Sequence, residues 1–231
     1  MKKPSLYILH GWTYELSKWE TITQLLSKKF SVKLLKIPGL TEPLHEVWTL
    51  DDYTQWLDTQ IPEKTPVVLL GHSNGGRISL NYSLNFPERV SRLILIDSAG
   101  IKDKRFKSIL KRNVFKYVAK IGRSILPFSL LKEILYKLVR ETDYNRADQT
   151  LKQTMRNLII IDLESELKNL SIQTLIIWGE KDRVTPISDA YTMKKLIPKS
   201  KLKIISGASH SPMYTHPNEV YKAILKYWNT R

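Results

Sequence analysis

The chain has 231 residues, 42% of them hydrophobic, and no cysteine. That composition suits one globular domain with a substantial core, and it excludes disulfides, thiolate metal sites and disordered or fibrous classes. The net charge of +15 leaves nucleic acid, an anionic membrane and an acidic partner open as readings.

Leu6-Tyr7-Ile8-Leu9 reads as a strand. Lysines precede it, but this apolar run falls short of the roughly 7–15 residues of a signal-peptide core. No run approaches the roughly 20 apolar residues of a membrane span, so a soluble cytoplasmic protein is expected. Leu16–Lys29 is predicted helical, with Leu16, Trp19, Ile22, Leu25 and Leu26 on one face. Val32–Ile37 is a second strand, stopped by Pro38-Gly39. Leu50–Gln60 is a helix, Val67–Leu70 a strand and Gly75–Asn85 the helix after it. Leu93–Ile96, Thr174–Trp178 and Leu202–Ile205 complete the strands; Ile187–Leu196 and Glu219–Trp228 are helices. Strand–helix alternation with continuously apolar strands predicts an α/β fold, a mostly parallel sheet of about six strands covered on both faces. Functional residues in such sheets gather beyond the carboxyl ends of the strands.

Residues 101–168 break the alternation and hold no convincing strand. They are read as a helical lid inserted into a single domain whose core is 1–100 and 169–231. Between Ile101 and Arg123 nine Lys/Arg stand against one acid, Asp103. Their spacing with Phe106, Ile109, Leu110, Val114, Tyr117, Val118 and Ile121 makes a basic amphipathic helix. Its roles are a solvated lid face, a dock for an acidic carrier protein or acyl-CoA, or contact with an anionic membrane. Nucleic acid is not expected, since no binding motif accompanies the charge.

The chemistry centres on Gly71-His72-Ser73-Asn74-Gly75-Gly76, between a strand and a helix. A turn of this kind is too tight for side chains and lifts the serine hydroxyl clear of the sheet. A hydroxyl is a weak nucleophile at neutral pH and needs a base. Of five histidines, His210 follows the last strand, in the loop that opens the final helix. His10 ends the first strand and is read as structural. His45 lies in a proline-containing loop, His72 is read as pointing away from the elbow's exposed face, and His216 precedes Pro217 as a cap. Asp182 follows the strand Thr174–Trp178, with Asp97 and Glu180 as rival acids.

The order Ser73, Asp182, His210 is that of the α/β-hydrolase arrangement, and the chain resembles that superfamily over nearly its whole length. His10-Gly11-Trp12 resembles the turn after the first core strand, and Pro38-Gly39-Leu40 the loop after the next. Leu175–Asp182 resembles the acid loop, and Gly207–Pro212 the histidine loop. The HG-Trp turn and short lid resemble small carboxylesterases and the pimeloyl-carrier-protein methyl esterase group. The resemblance implies an oxyanion hole from the backbone N–H groups of Trp12 and Asn74, and acyl transfer through an acyl-enzyme. No metal or organic cofactor is expected, since the sequence holds no ligand cluster. Departures are a sheet trimmed at its start, no second glycine after Pro38-Gly39-Leu40, and Gln173 where proline is frequent. A serine at the elbow argues against dehalogenase or epoxide hydrolase chemistry.

The expected activity is hydrolysis of carboxylic esters of small or medium acyl chains. Alternatives are a thioesterase, a C–C bond hydrolase or an acyltransferase with the same triad, and, in another class, a non-catalytic ligand receptor. Trp12, Phe106 and Phe128 are candidate pocket residues.

Overall fold

The computed structural model describes residues 3–13, 15–62, 64–102 and 147–229. Phe106, Phe128 and nearly all of the basic 101–123 segment lie outside them.

Six strands form one parallel sheet in the order β2-β1-β3-β4-β5-β6. They are β1 (Ser5–Leu9), β2 (Ser31–Leu34), β3 (Val67–His72), β4 (Val90–Ile96), β5 (Thr174–Gly179) and β6 (Ser200–Ile205). The helices are α1 (Glu20–Ser27), α2 (Leu50–Gln60), α3 (Asn74–Asn85), α4 (Gln149–Ile160), α5 (Ile187–Leu196), a single turn α6 (Pro212–Thr215) and α7 (Pro217–Asn229).

Side chains alternate across each strand, so every central strand feeds two cores. Leu6, Ile8, Val68, Leu70, Ile94 and Ile177 pack with Trp19, Ile22 and Leu26 near α1, and with Val220 and Ile224 of α7. Tyr7, Leu9, Leu69, Leu95 and Trp178 pack on the other face, with Leu57 of α2, Ile78 of α3 and Met193 of α5. Burial on both faces is why these strands read as unbroken apolar runs.

Two predicted elements differ. The first helix is split: a 3-10 turn, Ser17–Trp19, precedes α1, with Trp19 N–H bonded to Leu16 O at 2.9 Å. The second strand ends at Leu34 rather than Ile37. Leu35 N–H still reaches Ile8 O at 3.0 Å, but Ile37 O then accepts from Leu40 and Thr41 N–H at 3.0 Å, which turns the chain away from the sheet.

The strand order reverses between β1 and β3, and crevices beyond such switch points hold ligands. Thr49 caps α2 with Asp52 in a reciprocal capping box, bringing α2 in below the loop at residues 38–49. Asp148 caps α4, its carboxylate accepting from Leu151 N–H at 2.7 Å. α4 lies against that same loop. Thr154 accepts from Trp48 N–H at 2.9 Å, and Asn157 donates to Trp48 O at 3.2 Å. The segment after α4 is tied back to the chain that leaves β4: Leu163 N–H bonds Gly100 O at 2.8 Å, and Lys102 N–H bonds Asp162 Oδ1 at 3.1 Å.

Candidate active site

β3 ends in a turn whose central residue, Ser73, has φ 52° and ψ −120°. That is a left-handed, sparsely populated conformation for a non-glycine residue, costing on the order of 1–3 kcal/mol. The surroundings hold it there. Ser73 N–H bonds Ile96 O at 3.1 Å, while Ser73 O accepts from Gly76 N–H at 3.0 Å and Ala99 N–H at 2.9 Å. The glycines supply room. A Cβ on Gly71 would stand 2.5 Å from Gly76 Cα, and one on Gly75 would stand 2.5 Å from His10 O. The loop after β1 closes on the serine from the other side, where a Cβ on Gly11 would stand 2.8 Å from Ser73 Cβ.

A continuous hydrogen-bonded line crosses three loops. Ser73 Oγ lies 3.0 Å from His210 Nε2, and His210 Nδ1 lies 2.8 Å from Asp182 Oδ2. The carboxylate neighbour assigns the proton to Nδ1, leaving Nε2 as acceptor for the serine hydroxyl. The Asp182 side chain has no solvent exposure and that of His210 is 19% exposed. Asp182 is well supplied with donors: Val184 N–H at 2.7 Å and Thr185 N–H at 3.1 Å on Oδ1, and the Thr185 hydroxyl at 2.7 Å on Oδ2. Trp178 Nε1 donates to Thr185 O at 3.1 Å and anchors that loop to β5. The acid and histidine loops are joined by Lys181 N–H to Ala208 O at 2.8 Å.

The other histidines and acids sort themselves by their bonds. His10 is buried; its Nδ1 donates to Gly11 O at 2.7 Å and its Nε2 faces the Thr41 hydroxyl at 3.2 Å. Burial, opposed by that backbone bond, lowers its pKa to about 4, so it is a neutral structural residue. His72 is buried, away from the elbow's exposed face, yet it reaches the histidine loop. Its Nε2 donates to His210 O at 2.8 Å, and its ring centroid is 5.0 Å from that of His210. Burial, with the nearby His210, keeps it well below the ordinary histidine range. It thus props the histidine loop from beneath, a role that sequence adjacency could not show. Glu180 is exposed and accepts from the Ser206 hydroxyl and Gly207 N–H, each at 2.8 Å. His216 uses its backbone O to accept from Glu219 and Val220 N–H at 3.1 Å at the start of α7.

Asn74 opens α3 directly after the serine, and Trp12 follows Gly11, packed against the α2-side core. A carboxylate oxygen of Asp97 and one ring nitrogen each of His72 and His210 lie within 4.8 Å of one another. The spacing would admit a cation, but both His210 nitrogens are already engaged by Ser73 and Asp182. A separate groove of about 390 Å³, lined by Lys201, Lys203, Lys222 and Lys226 between β6 and α7, does not include these residues.

Residues 6–223 match the alpha/beta hydrolase family. The chain belongs to that family. It is a hydrolase by fold and by kinship. A pimeloyl-acyl-carrier-protein methyl ester esterase from Wigglesworthia glossinidia brevipalpis is 29% identical over 248 residues, spanning 97% of this chain and 93% of that relative. One of the same name from Aliivibrio fischeri (strain ATCC 700601 / ES114) is 27% identical, with the same coverage of 97% and 93%. Among solved structures, MenH from S. aureus superposes with TM-score 0.74 at 24% identity, over 98% of this hydrolase and 94% of that chain. At that identity the likeness speaks for the fold. Among the described residues, no helix is long and apolar enough to cross a membrane.

Proposed function

We propose that this hydrolase cleaves carboxylic esters through Ser73, His210 and Asp182. The observation that carries the reading is the unbroken line Ser73 Oγ–His210 Nε2, His210 Nδ1–Asp182 Oδ2, at 3.0 and 2.8 Å. Ser73 Oγ attacks the ester carbonyl while its proton passes to His210 Nε2. Asp182, anionic and buried, holds the imidazole in the one useful tautomer and stabilises the imidazolium. The tetrahedral oxyanion is assigned to the backbone N–H groups of Asn74 and Trp12, typically the largest single catalytic contribution. His210 returns its proton to the departing alcohol, leaving an acyl group on Ser73. Water, deprotonated by His210, then releases the acid.

The substrate class follows from kinship and charge together. The relatives are named as esterases of a methyl ester on an acyl chain joined to a carrier protein. This chain carries a net charge of +15. A medium acyl methyl ester, presented by an acidic carrier to the basic 101–123 segment, fits both. The receptor reading loses ground because a binding module has no need of a buried, four-times-bonded Asp182. A cytoplasmic site of action agrees with such a carrier.

The test is turnover of p-nitrophenyl esters from acetate to long acyl chains, by wild type and by Ser73→Ala. Loss of about 10⁴-fold or more in the variant is expected, with an optimum at short to medium chains. Folded wild-type protein that turns over no ester, methyl or aryl, would count against the proposal in favour of thioester or C–C substrates.

A further inference from the structure

Asp97 directly follows β4 beside the site, and the mechanism above leaves it without a role. It is fully buried and sits at φ +43°, a left-handed conformation held in place by its neighbours. Oδ1 accepts a single bond, 2.8 Å from the N–H of Gly179, the last residue of the strand that leads into the Asp182 loop. Oδ2 is buried and receives no hydrogen bond. A carboxylate with one donor in a closed interior is among the most costly groups a protein can bury. A carboxylic acid in the same place is not, because its second oxygen carries the proton.

The groups around Asp97 point the same way. Asp182 faces it from the β5 loop, His210 from the loop after β6, and His72 from the end of β3. The Thr185 hydroxyl ties the Asp97 main chain to the Asp182 carboxylate, 3.2 Å from the Asp97 backbone carbonyl and 2.7 Å from Asp182 Oδ2. Burial first, then the Asp182 charge, raise the Asp97 carboxyl well above its ordinary range, against the lowering effect of Gly179 N–H. Two adjacent buried carboxyls do not both ionise readily, and Asp182 has four hydrogen-bond partners where the Asp97 carboxyl has one.

We propose that Asp97 is a reserve acid standing outside the working relay, a neutral acid beside Asp182 that becomes the anion orienting His210 only when Asp182 is neutralised. The proposal rests on the Ser–His–Asp reading of the site. Removing the Asp182 charge removes the repulsion on Asp97 and leaves His210 Nδ1 without an anion. The Asp97 proton then goes to bulk water, and its oxygen, within 4.8 Å of an imidazole nitrogen, is the negative group that remains.

Asp97→Asn, Asp182→Asn and the double variant form a cycle, assayed on an ester whose turnover needs Ser73. Asp97→Asn keeps kcat within about 3-fold, because the amide resembles a neutral acid. Asp182→Asn loses about 10²-fold, with a residual rate that climbs with pH as Asp97 ionises. The double variant falls further, toward the roughly 10⁴-fold loss expected of an imidazole without any orienting acid. Equal rates for Asp182→Asn and the double variant would overturn the reserve role. A loss in Asp97→Asn as large as in Asp182→Asn would overturn the neutral state. A second measurement needs no activity: infrared spectroscopy of wild type at neutral pH should show a protonated carboxyl band absent from Asp97→Asn. Its absence from wild type would sink the proposal even if ester hydrolysis itself were confirmed. Failure of the esterase reading shows instead as no Ser73-dependent turnover in any of these proteins.

Discussion

The elbow at residues 71–76 and the cover made by residues 38–49 with α4 are held by different means. At the elbow, main chain packs on main chain. Gly71 lies against the Gly76 backbone with no space for a Cβ, and Gly75 lies against the carbonyls of Leu9 and His10. At the cover, contact runs through side chains: the Thr154 hydroxyl and Asn157 amide on the Trp48 backbone, and Leu151 against Gly39. Backbone packing fixes a geometry to tenths of an ångström and tolerates little change. Side-chain contacts can be rewritten one residue at a time. The difference suits an enzyme that keeps its chemistry and varies its substrate.

The sharpest way to break this contrast is Gly75→Ala. The new methyl would stand 2.5 Å from Leu9 C and His10 O, atoms of β1 and its loop. β1 is paired on both sides and cannot retreat cheaply. Overpacking of this kind costs about 3 kcal/mol or more. The start of α3 shifts as well, and a misplacement on the order of 1 Å costs about 10²-fold in rate. Urea unfolding and ester turnover together should show both losses. A variant with unchanged midpoint and rate would show that the elbow is less tightly built than argued.

The elbow was legible in the sequence for the same reason that it is rigid. Its demands fall on residue type at fixed spacing, so Gly71, Ser73, Gly75 and Gly76 declare it. The central strands were legible because burial on both faces keeps their middles apolar, as in Val67–Leu70, Leu93–Ile96 and Leu175–Trp178, while the edge strands β2 and β6 carry Lys33, Lys201 and Lys203. Asp182 and His210 could be placed because each follows a strand. The bonds between non-neighbours were not legible. Nothing near His72 in the chain reveals that it supports His210 from 138 residues away. The end of β2 was overrun because Leu35 and Ile37 are buried at 2% and 1% exposure without being laddered, so apolar character outlasts strand pairing there. Asp97 looked like a rival to Asp182, and only the count of donors on each separates their states.

The two regions also answer acid differently. His10 and His72, both neutral and buried, lie beneath the elbow, whereas the cover's own histidine, His45, is exposed. A histidine whose folded pKa lies below the unfolded 6.5 is charged more readily in the unfolded chain. Its stabilising effect is complete above pH 6.5 and declines as pH falls toward the folded value, about 4 for His10. That shift corresponds to about 3 kcal/mol for His10 at the acid end. Asp97 runs the opposite way: its raised pKa favours the folded state most at low pH, and that contribution fades as pH rises through its folded pKa. Between pH 7.5 and 4.5 the denaturant midpoint of wild type should therefore lose more, or gain less, than that of His10→Asn. Equal slopes in the two proteins would remove His10 from the account.

The smallest expected effect tests the cover alone. Thr154 is fully buried, and its hydroxyl accepts from Trp48 N–H at 2.9 Å. Thr154→Val keeps the shape and leaves that N–H without a partner, at a cost of about 1–2 kcal/mol. If the cover is joined to the elbow only through replaceable side-chain contacts, the loss stays local. Hydrogen exchange at the Trp48 amide should speed up by about 10-fold, while the rate at which a fluorophosphonate labels Ser73 stays as in wild type. A matching fall in the labelling rate would mean that the cover helps to set the serine, and that the two regions are one mechanical unit after all.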